Sequence, residues 1–217
     1  MHYNINDDII IKSENAAKSY TQPNKYLLDM IKDFANVDRV LDYGCGKLRY
    51  TIPLCELAKE VIAIDSNEQI LRKQKIWNEK TSVMVYSNKI DNLEVYSLND
   101  TKWKEYKYDF ILCSNVLSAI PNDLDRIKVL NNIKSILSYK GKALITTLYR
   151  NSYFSLYKMR ESSIKYHDGW IVKNGSLFSF YGLISVEKLI NYCINAGLIV
   201  DDVIIRNGSV FVVVANQ

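Results

Sequence analysis

Three groups of residues in this chain are of the right types and spacing to handle a ligand. Asp42-Tyr43-Gly44-Cys45-Gly46 stands directly after the apolar pair Val40-Leu41. Glycines at 44 and 46 let the backbone turn sharply and approach a ligand with no Cβ in the way. A helix opening after such a turn presents free N–H groups that favour an anionic group. Asp65, followed by Ser66, ends a second apolar run, Val61-Ile62-Ala63-Ile64. A carboxylate there can accept both hydroxyls of a ribose. The third group is the aromatic and basic stretch 149–183, with Tyr149, Arg150, Tyr153 and Trp170 as candidate substrate contacts and His167 as the candidate general base. Its rings and cations suit an acceptor pocket, or a stacking surface for nucleobases with Arg150, Lys158, Arg160 and Lys165 against phosphates. They equally suit Tyr153, Phe154 and Tyr157 packing on a sheet with solvated charges around them. A surface role remains the plain alternative for His167.

These residues need elements to hold them. Pro23 opens an amphipathic helix with Leu27, Leu28, Ile31 and Phe34 on one face. Strands are expected at about 38–43, 61–65, 93–98, 108–113 and 143–147. Between them fall helices after Gly46 to about residue 59, over 68–78, over 82–90, and from Asp123 to a closing Gly141. Leu124, Ile127, Leu130, Ile133, Ile136 and Leu137 are expected to face inward from that last helix. Ser185 caps a further helix ending at Gly197. Two β-rich runs then flank Asn207-Gly208, a strong short hairpin signal. Residues 1–18 read as a polar, loosely docked lead, and 149–183 as an irregular insertion. Alternation of this kind implies an α/β fold with a doubly wound, mostly parallel sheet closed by a C-terminal antiparallel hairpin. Ligands of such sheets bind outside the carboxyl ends of the strands, where Gly44, Gly46 and Asp65 fall.

Composition narrows the class. A chain of 217 residues that is 48% hydrophobic and 24% charged can bury a core without a disulfide or metal staple, and its length fits one domain over 1–217. The net charge of +4 permits an anionic partner without requiring one. The longest apolar runs, such as Val210 to Ala215, fall far short of the roughly 20 residues of a membrane span. Asp7 and Asp8 stand where a signal peptide carries positive charge. Cys45, Cys55, Cys113 and Cys193 form no C-x-x-C pair and read as buried, reduced thiols. With only His2 and His167 beside them, no metal site is expected. The expectation is a cytoplasmic protein with no membrane segment.

A dinucleotide site wants G-x-G-x-x-G. Here Arg49 takes the third glycine's place, too large for close helix–strand packing. The combination VLDYGCG, VIAID, YDFILCSN and the terminal hairpin instead resembles the class I (Rossmann-like) S-adenosylmethionine-dependent methyltransferases. The resemblance covers about residues 38–148 in motifs, and the hairpin carries it to the C-terminus. It implies a seven-stranded sheet and S-adenosylmethionine as cofactor. The family motif is D/E-x-G-x-G-x-G; this chain supplies Asp42, Gly44 and Gly46 but has Leu48 at the third glycine. By resemblance, Asp42, Gly44, Cys45 and Gly46 line the methionine end of the cofactor. Asp65 and Ser66 hold the ribose, and Asp100 with Asn99 lies near the adenine amino group. Were the third strand Ser82–Ser87, Asn88 would take that last role. Ser114 and Asn115 approach from the other side, and Tyr20 can fold over the cofactor.

No D/N-P-P-Y/F loop follows the fourth strand and no proline precedes Cys45 or Cys113, so two known routes of base methylation are disfavoured. A small-molecule acceptor is favoured, with RNA or a modified nucleotide next. A non-catalytic, S-adenosylmethionine-binding regulatory subunit is the reading from another class. Residues 1–36 form the lead and first helix, and 149–183 the acceptor-side lid.

Overall fold

Residues 2–6, 8–17, 22–149 and 162–216 are described by the structure, a computed structural model. The chain divides into two compact units. One comprises Ala17–Cys113 and Ile136–Ala143; the other comprises Met1–Ala16, Ser114–Ser135 and Leu144–Gln217.

The first unit is built on short parallel strands. After α1 (Lys25–Phe34) come β3 (Arg39–Tyr43), α2 (Thr51–Cys55), β4 (Glu60–Asp65), α3 (Asn67–Leu71), the small hairpin β5 (Gln74–Ile76) and β6 (Glu79–Thr81), α4 (Val83–Ser87) and β7 (Leu93–Ser97). β3 and β4 pair in parallel with Asp42 opposite Ala63, and β4 pairs in parallel with β7. Val40, Leu41, Ile62 and Ile64 are fully buried, as expected of strands covered on both faces. Asn24, not Pro23, caps α1: its side chain accepts from Leu27 N at 3.2 Å, and Pro23 stands just before the cap.

The second unit holds β1 (His2–Asn6), β2 (Ile9–Lys12), α5 (Asp123–Ile136), β10 (Ser163–Tyr166), β11 (Gly169–Asn174), β12 (Leu177–Gly182), α6 (Val186–Asn195), β13 (Ile199–Arg206) and β14 (Ser209–Ala215). With β8 (Tyr108–Ser114) and β9 (Leu137–Leu148), the seven-stranded sheet has the order β13-β14-β9-β8-β3-β4-β7. β13 and β14 form the expected antiparallel hairpin. Asn207 and Gly208 have φ of 50° and 74°, the left-handed pair that a tight hairpin turn requires. Among the described residues no helix is long and apolar enough to cross a membrane.

Four expectations are corrected. The polar lead folds: β1 and β2 pair antiparallel, and β2 pairs with β12 in a five-stranded sheet of order β1-β2-β12-β11-β10. Its anchors, Tyr3, Ile9 and Ile11, are buried, but two short strands give too few alternations to stand out. The described part of 149–183 is likewise regular, three antiparallel strands rather than an irregular stretch. The helix expected over 68–78 stops at Leu71, where the Gln74 side chain takes the Gln69 carbonyl at 2.9 Å. That carbonyl would otherwise accept from residue 73, so the chain is freed to turn into β5. Finally, Gly141 is no helix cap but lies within β9. A Cβ there would stand 2.8 Å from Tyr108 O, so glycine is needed for close approach of the backbone.

Candidate functional site

In the first unit the expected ligand residues converge at the ends of β3 and β4. Gly44 N and Cys45 N donate to Ile64 O at 2.8 and 3.0 Å. Gly46 N donates to Asp65 Oδ2 at 2.9 Å, and Ser66 N to Asp65 Oδ1 at 2.7 Å. These two bonds orient the Asp65 carboxylate against the turn. Gly44 and Gly46 have φ of 80° and 57°. A Cβ on Gly46 would meet nothing within 4 Å, so this glycine serves the left-handed backbone, not tight packing.

Leu48 explains the missing third glycine. Its φ is 60°, so the position does call for a left-handed residue. Leucine bears the strain because its side chain is fully buried. Left-handed backbone costs a non-glycine residue about 1–2 kcal/mol, whereas removing a buried leucine costs about 2–5 kcal/mol. Leu48→Gly is therefore expected to destabilise the protein, by up to about 4 kcal/mol in denaturant unfolding; a stabilised variant would mean that strain outweighs burial.

Asp42 is buried at 3% exposure and accepts from Thr51 Oγ1 at 2.5 Å. Burial pushes its carboxyl up to about 7; Thr51 works against this and nearby Asp65 adds to it. Burial, then the charges of Asp65 and Asp42, push the Cys45 thiol well above its ordinary range. It therefore carries no thiolate at neutral pH and packs rather than attacks. The third strand of the series is β7, not Ser82–Ser87, which form the N-cap and body of α4. That removes Asn88 and leaves Asn99 and Asp100, in the turn after β7. Leu98 N reaches Asp65 O at 2.8 Å, tying this turn to the end of β4. Asn99 is exposed, while Asp100 accepts from Lys102 N at 2.9 Å and opens a short helical turn.

In the second unit Ser114 Oγ lies 3.1 Å from Thr146 Oγ1, and Asn115 N donates to Thr146 O at 2.9 Å. Asn115 has φ 60° and an exposed side chain. Tyr149 N donates to Gly208 O at 2.9 Å, and its side chain is half-buried. Trp170 stands opposite Tyr181 across β11 and β12, with Lys165 Nζ 5.4 Å from its ring. His167 sits exposed at the tip between β10 and β11, with φ 46° and its ring edge-on to Tyr166 at 4.2 Å. Tyr20, Arg150 and Tyr153, with the rest of 150–161, lie outside the described residues.

Two residues escaped the sequence reading. Thr51, the partner of Asp42, carries no signal at its spacing. Arg126 does carry one: it begins the buried stripe Arg126-Val129-Leu130-Ile133-Ile136, whereas Leu124 is 74% exposed rather than inward-facing. Its Nη1 and Nη2 reach the two Asp168 oxygens at 2.5 and 2.9 Å, and Nε donates to the Leu117 and Ile120 carbonyls. A Cβ at Gly182 would stand 2.6 Å from Nη2, so that glycine makes room for the guanidinium.

A family described as a methyltransferase domain matches residues 16–200. The chain belongs to this family. The uncharacterized protein YmfD of Escherichia coli (strain K12) is 38% identical over 199 residues, covering 91% of this methyltransferase and 88% of the relative. Solved structures share the fold at lower identity. One is an S-adenosylmethionine-dependent methyltransferase from Clostridium acetobutylicum ATCC 824, with TM-score 0.61, 16% identity, and coverage of 88% of this chain and 89% of that one. Another is an O-methyltransferase family 2 protein from Planctomyces limnophilus DSM 3776 in complex with apigenin. Its TM-score is 0.56 and its identity 20%, over 82% of this chain and 50% of that one.

Proposed function

We propose that this methyltransferase uses S-adenosylmethionine as donor and a small molecule as acceptor. The observation that carries the donor reading is the lock between Gly46 N and Asp65 Oδ2, which brings the glycine turn and the strand-end carboxylate into one arrangement. The residues fit an adenosyl group bearing a methionine. Asp65 is a strand-end carboxylate of the type that accepts two ribose hydroxyls, and Asp42 is a buried carboxylate suited to a cationic end. Gly44, Cys45 and Gly46 offer backbone without bulk, and Ser66, Asn99 and Asp100 flank the turn beside them. Ser114 and Asn115 are proposed as further cofactor contacts. When bound, S-adenosylmethionine supplies a methyl group on an already activated sulfonium.

The protein's contribution is then position and exclusion of water, worth up to roughly 7–11 kcal/mol for well-aligned reactants. His167 is proposed to take a proton from the acceptor where the acceptor needs one, and Tyr149, Arg150, Tyr153 and Trp170 to contact the acceptor. Support for a small molecule comes from the apigenin complex of the related fold. It comes also from the modest net charge of +4, which is short of a dense cationic footprint.

Calorimetry with S-adenosylhomocysteine tests the donor. Wild-type protein is expected to bind below millimolar concentration. Asp65→Ala is expected to lose at least about 100-fold in affinity, because hydrogen bonds to a charged group contribute about 1.5–3 kcal/mol each. Equal affinity in the two proteins would remove Asp65 from the ribose. Retention on RNA at rising salt tests the acceptor: a steep salt slope reports several phosphate contacts and would move the acceptor to nucleic acid.

A further inference from the structure

Gln69 is fully buried in α3, and none of the roles above uses it. Its Nε2 donates to Gly46 O at 2.5 Å and more weakly to Gln74 Oε1 at 3.4 Å. Its Oε1 accepts from Arg72 Nη2. Its backbone N is capped by Ser66 Oγ at 3.2 Å, which fixes the side chain's point of departure. Arg72 Nε and Gln74 Oε1, 3.3 Å apart, complete the group. A buried amide with its donor and acceptor both engaged has one preferred orientation.

Gly46 is thus held at both of its polar atoms, N by Asp65 and O by Gln69. Contact around a side chain cannot hold this residue, since it has none and a Cβ would meet nothing within 4 Å. Its left-handed φ of 57° is also one that glycine leaves easily for other regions. The Gly46 carbonyl and the Lys47 N–H belong to one planar peptide and point in opposite directions. Fixing the carbonyl on Gln69 therefore aims the Lys47 N–H away from α3.

We propose that Gln69 is a positioning residue for the donor site, acting through the Gly46–Lys47 peptide. The inference rests on the donor reading given above. It also gives the early end of α3 a purpose: the turn at Arg72 brings Gln74 back onto Gln69, and the glycine turn is braced from behind.

Gln69→Glu and Gln69→Met test this. Glutamate keeps the length and an acceptor for Arg72 but cannot donate to Gly46 O; methionine keeps the volume and provides neither. Two readouts are needed: amide hydrogen exchange of Gly46 and Lys47 in the ligand-free protein, and the affinity for S-adenosylhomocysteine by calorimetry. Both variants are expected to exchange these amides at least about tenfold faster while distant strands such as β13 and β14 stay protected, and to bind the probe at least about tenfold more weakly. Glutamate is the sharper case, because its pairing with Arg72 preserves the fold while the bond to Gly46 is lost. Unchanged exchange and unchanged affinity in a folded Gln69→Glu protein, or in Gln69→Met should the first fail to fold, would overturn the proposal. Faster exchange in a protein whose wild type binds no probe would retain the brace but overturn its role toward the donor. That result is distinct from loss of binding in the variants alone.

Discussion

Above pH 7, replacing Asp42 by asparagine is expected to stabilise the ligand-free protein while weakening its hold on S-adenosylhomocysteine. Asp42 is buried at the end of β3 and its carboxyl is pushed up to about 7 by burial. The folded state therefore holds a proton between the ordinary carboxylate value and about 7 that the unfolded chain has already lost. Stability contributed by this group falls as pH rises across that window and is level above it. A shift of this size corresponds to at most about 4 kcal/mol, and relaxation of the site reduces it to about 1–3 kcal/mol. Asparagine keeps the shape and cannot ionise. Its thermal midpoint should exceed that of wild type at pH 8 and approach it below pH 4. Binding should run the other way. In its proposed role Asp42 faces the cationic end of the donor, and a cation favours the ionised carboxylate. Wild-type affinity should then rise between about pH 6 and 8, and the asparagine variant should show little slope. Calorimetry at three pH values settles it; equal slopes in the two proteins would separate Asp42 from the ligand.

The largest loss of stability is expected from Arg126→Ala. Arg126 is fully buried and holds Asp168 through two nitrogens, with Tyr192 hydroxyl 3.3 Å from Nη1 and Lys188 Nζ 3.0 Å from Asp168 Oδ2. Burial alone would push the Asp168 carboxyl up, but Arg126 and Lys188 outweigh it and hold it below the ordinary value. Truncating one partner leaves a buried charge without its counterpart, at a cost of about 3–5 kcal/mol. For a protein of this size that corresponds to roughly 6–20 °C in thermal midpoint. The double variant Arg126→Met with Asp168→Leu should recover most of the loss, since an apolar pair of similar volume avoids the desolvation penalty. The contribution of Asp168 is present above the ordinary carboxylate range and disappears as pH falls through its lowered folded value. The difference between wild type and Asp168→Asn should therefore shrink in acid. A single Arg126→Ala variant as stable as wild type would show that the guanidinium does not join these elements.

The glycine turn and the strand-end carboxylate of the candidate site were legible because their signals are local. A glycine bend after a buried strand and a carboxylate at the next strand's end are set by nearest neighbours, and both fall where expected at Gly44, Gly46 and Asp65. The Asn207-Gly208 hairpin was readable for the same reason, since left-handed backbone restricts the residue type. What stayed hidden depends on partners far along the chain. Ile9 and Ile11 read as part of a loose lead because β2 finds its parallel neighbour β12 more than 160 residues later. Gly141 reads as a cap until the approach to Tyr108 O is known. Arg126 falls on the buried stripe of its helix, but nothing near it in the chain shows that its counterion, Asp168, arrives from the hairpin tip. Leu48 shows the reverse case: the sequence pattern marks a missing glycine, while the backbone keeps the glycine-like conformation and leucine bears it through burial.

The central claim is that adenosine lies against the glycine turn with its ribose on Asp65. A crystal structure of the wild-type protein grown with S-adenosylhomocysteine tests it most directly. The account requires ribose hydroxyls within hydrogen-bond distance of the Asp65 oxygens and the methionine end beside Gly44 and Gly46. Density for the compound at any other place, with no contact to Asp65, would contradict it.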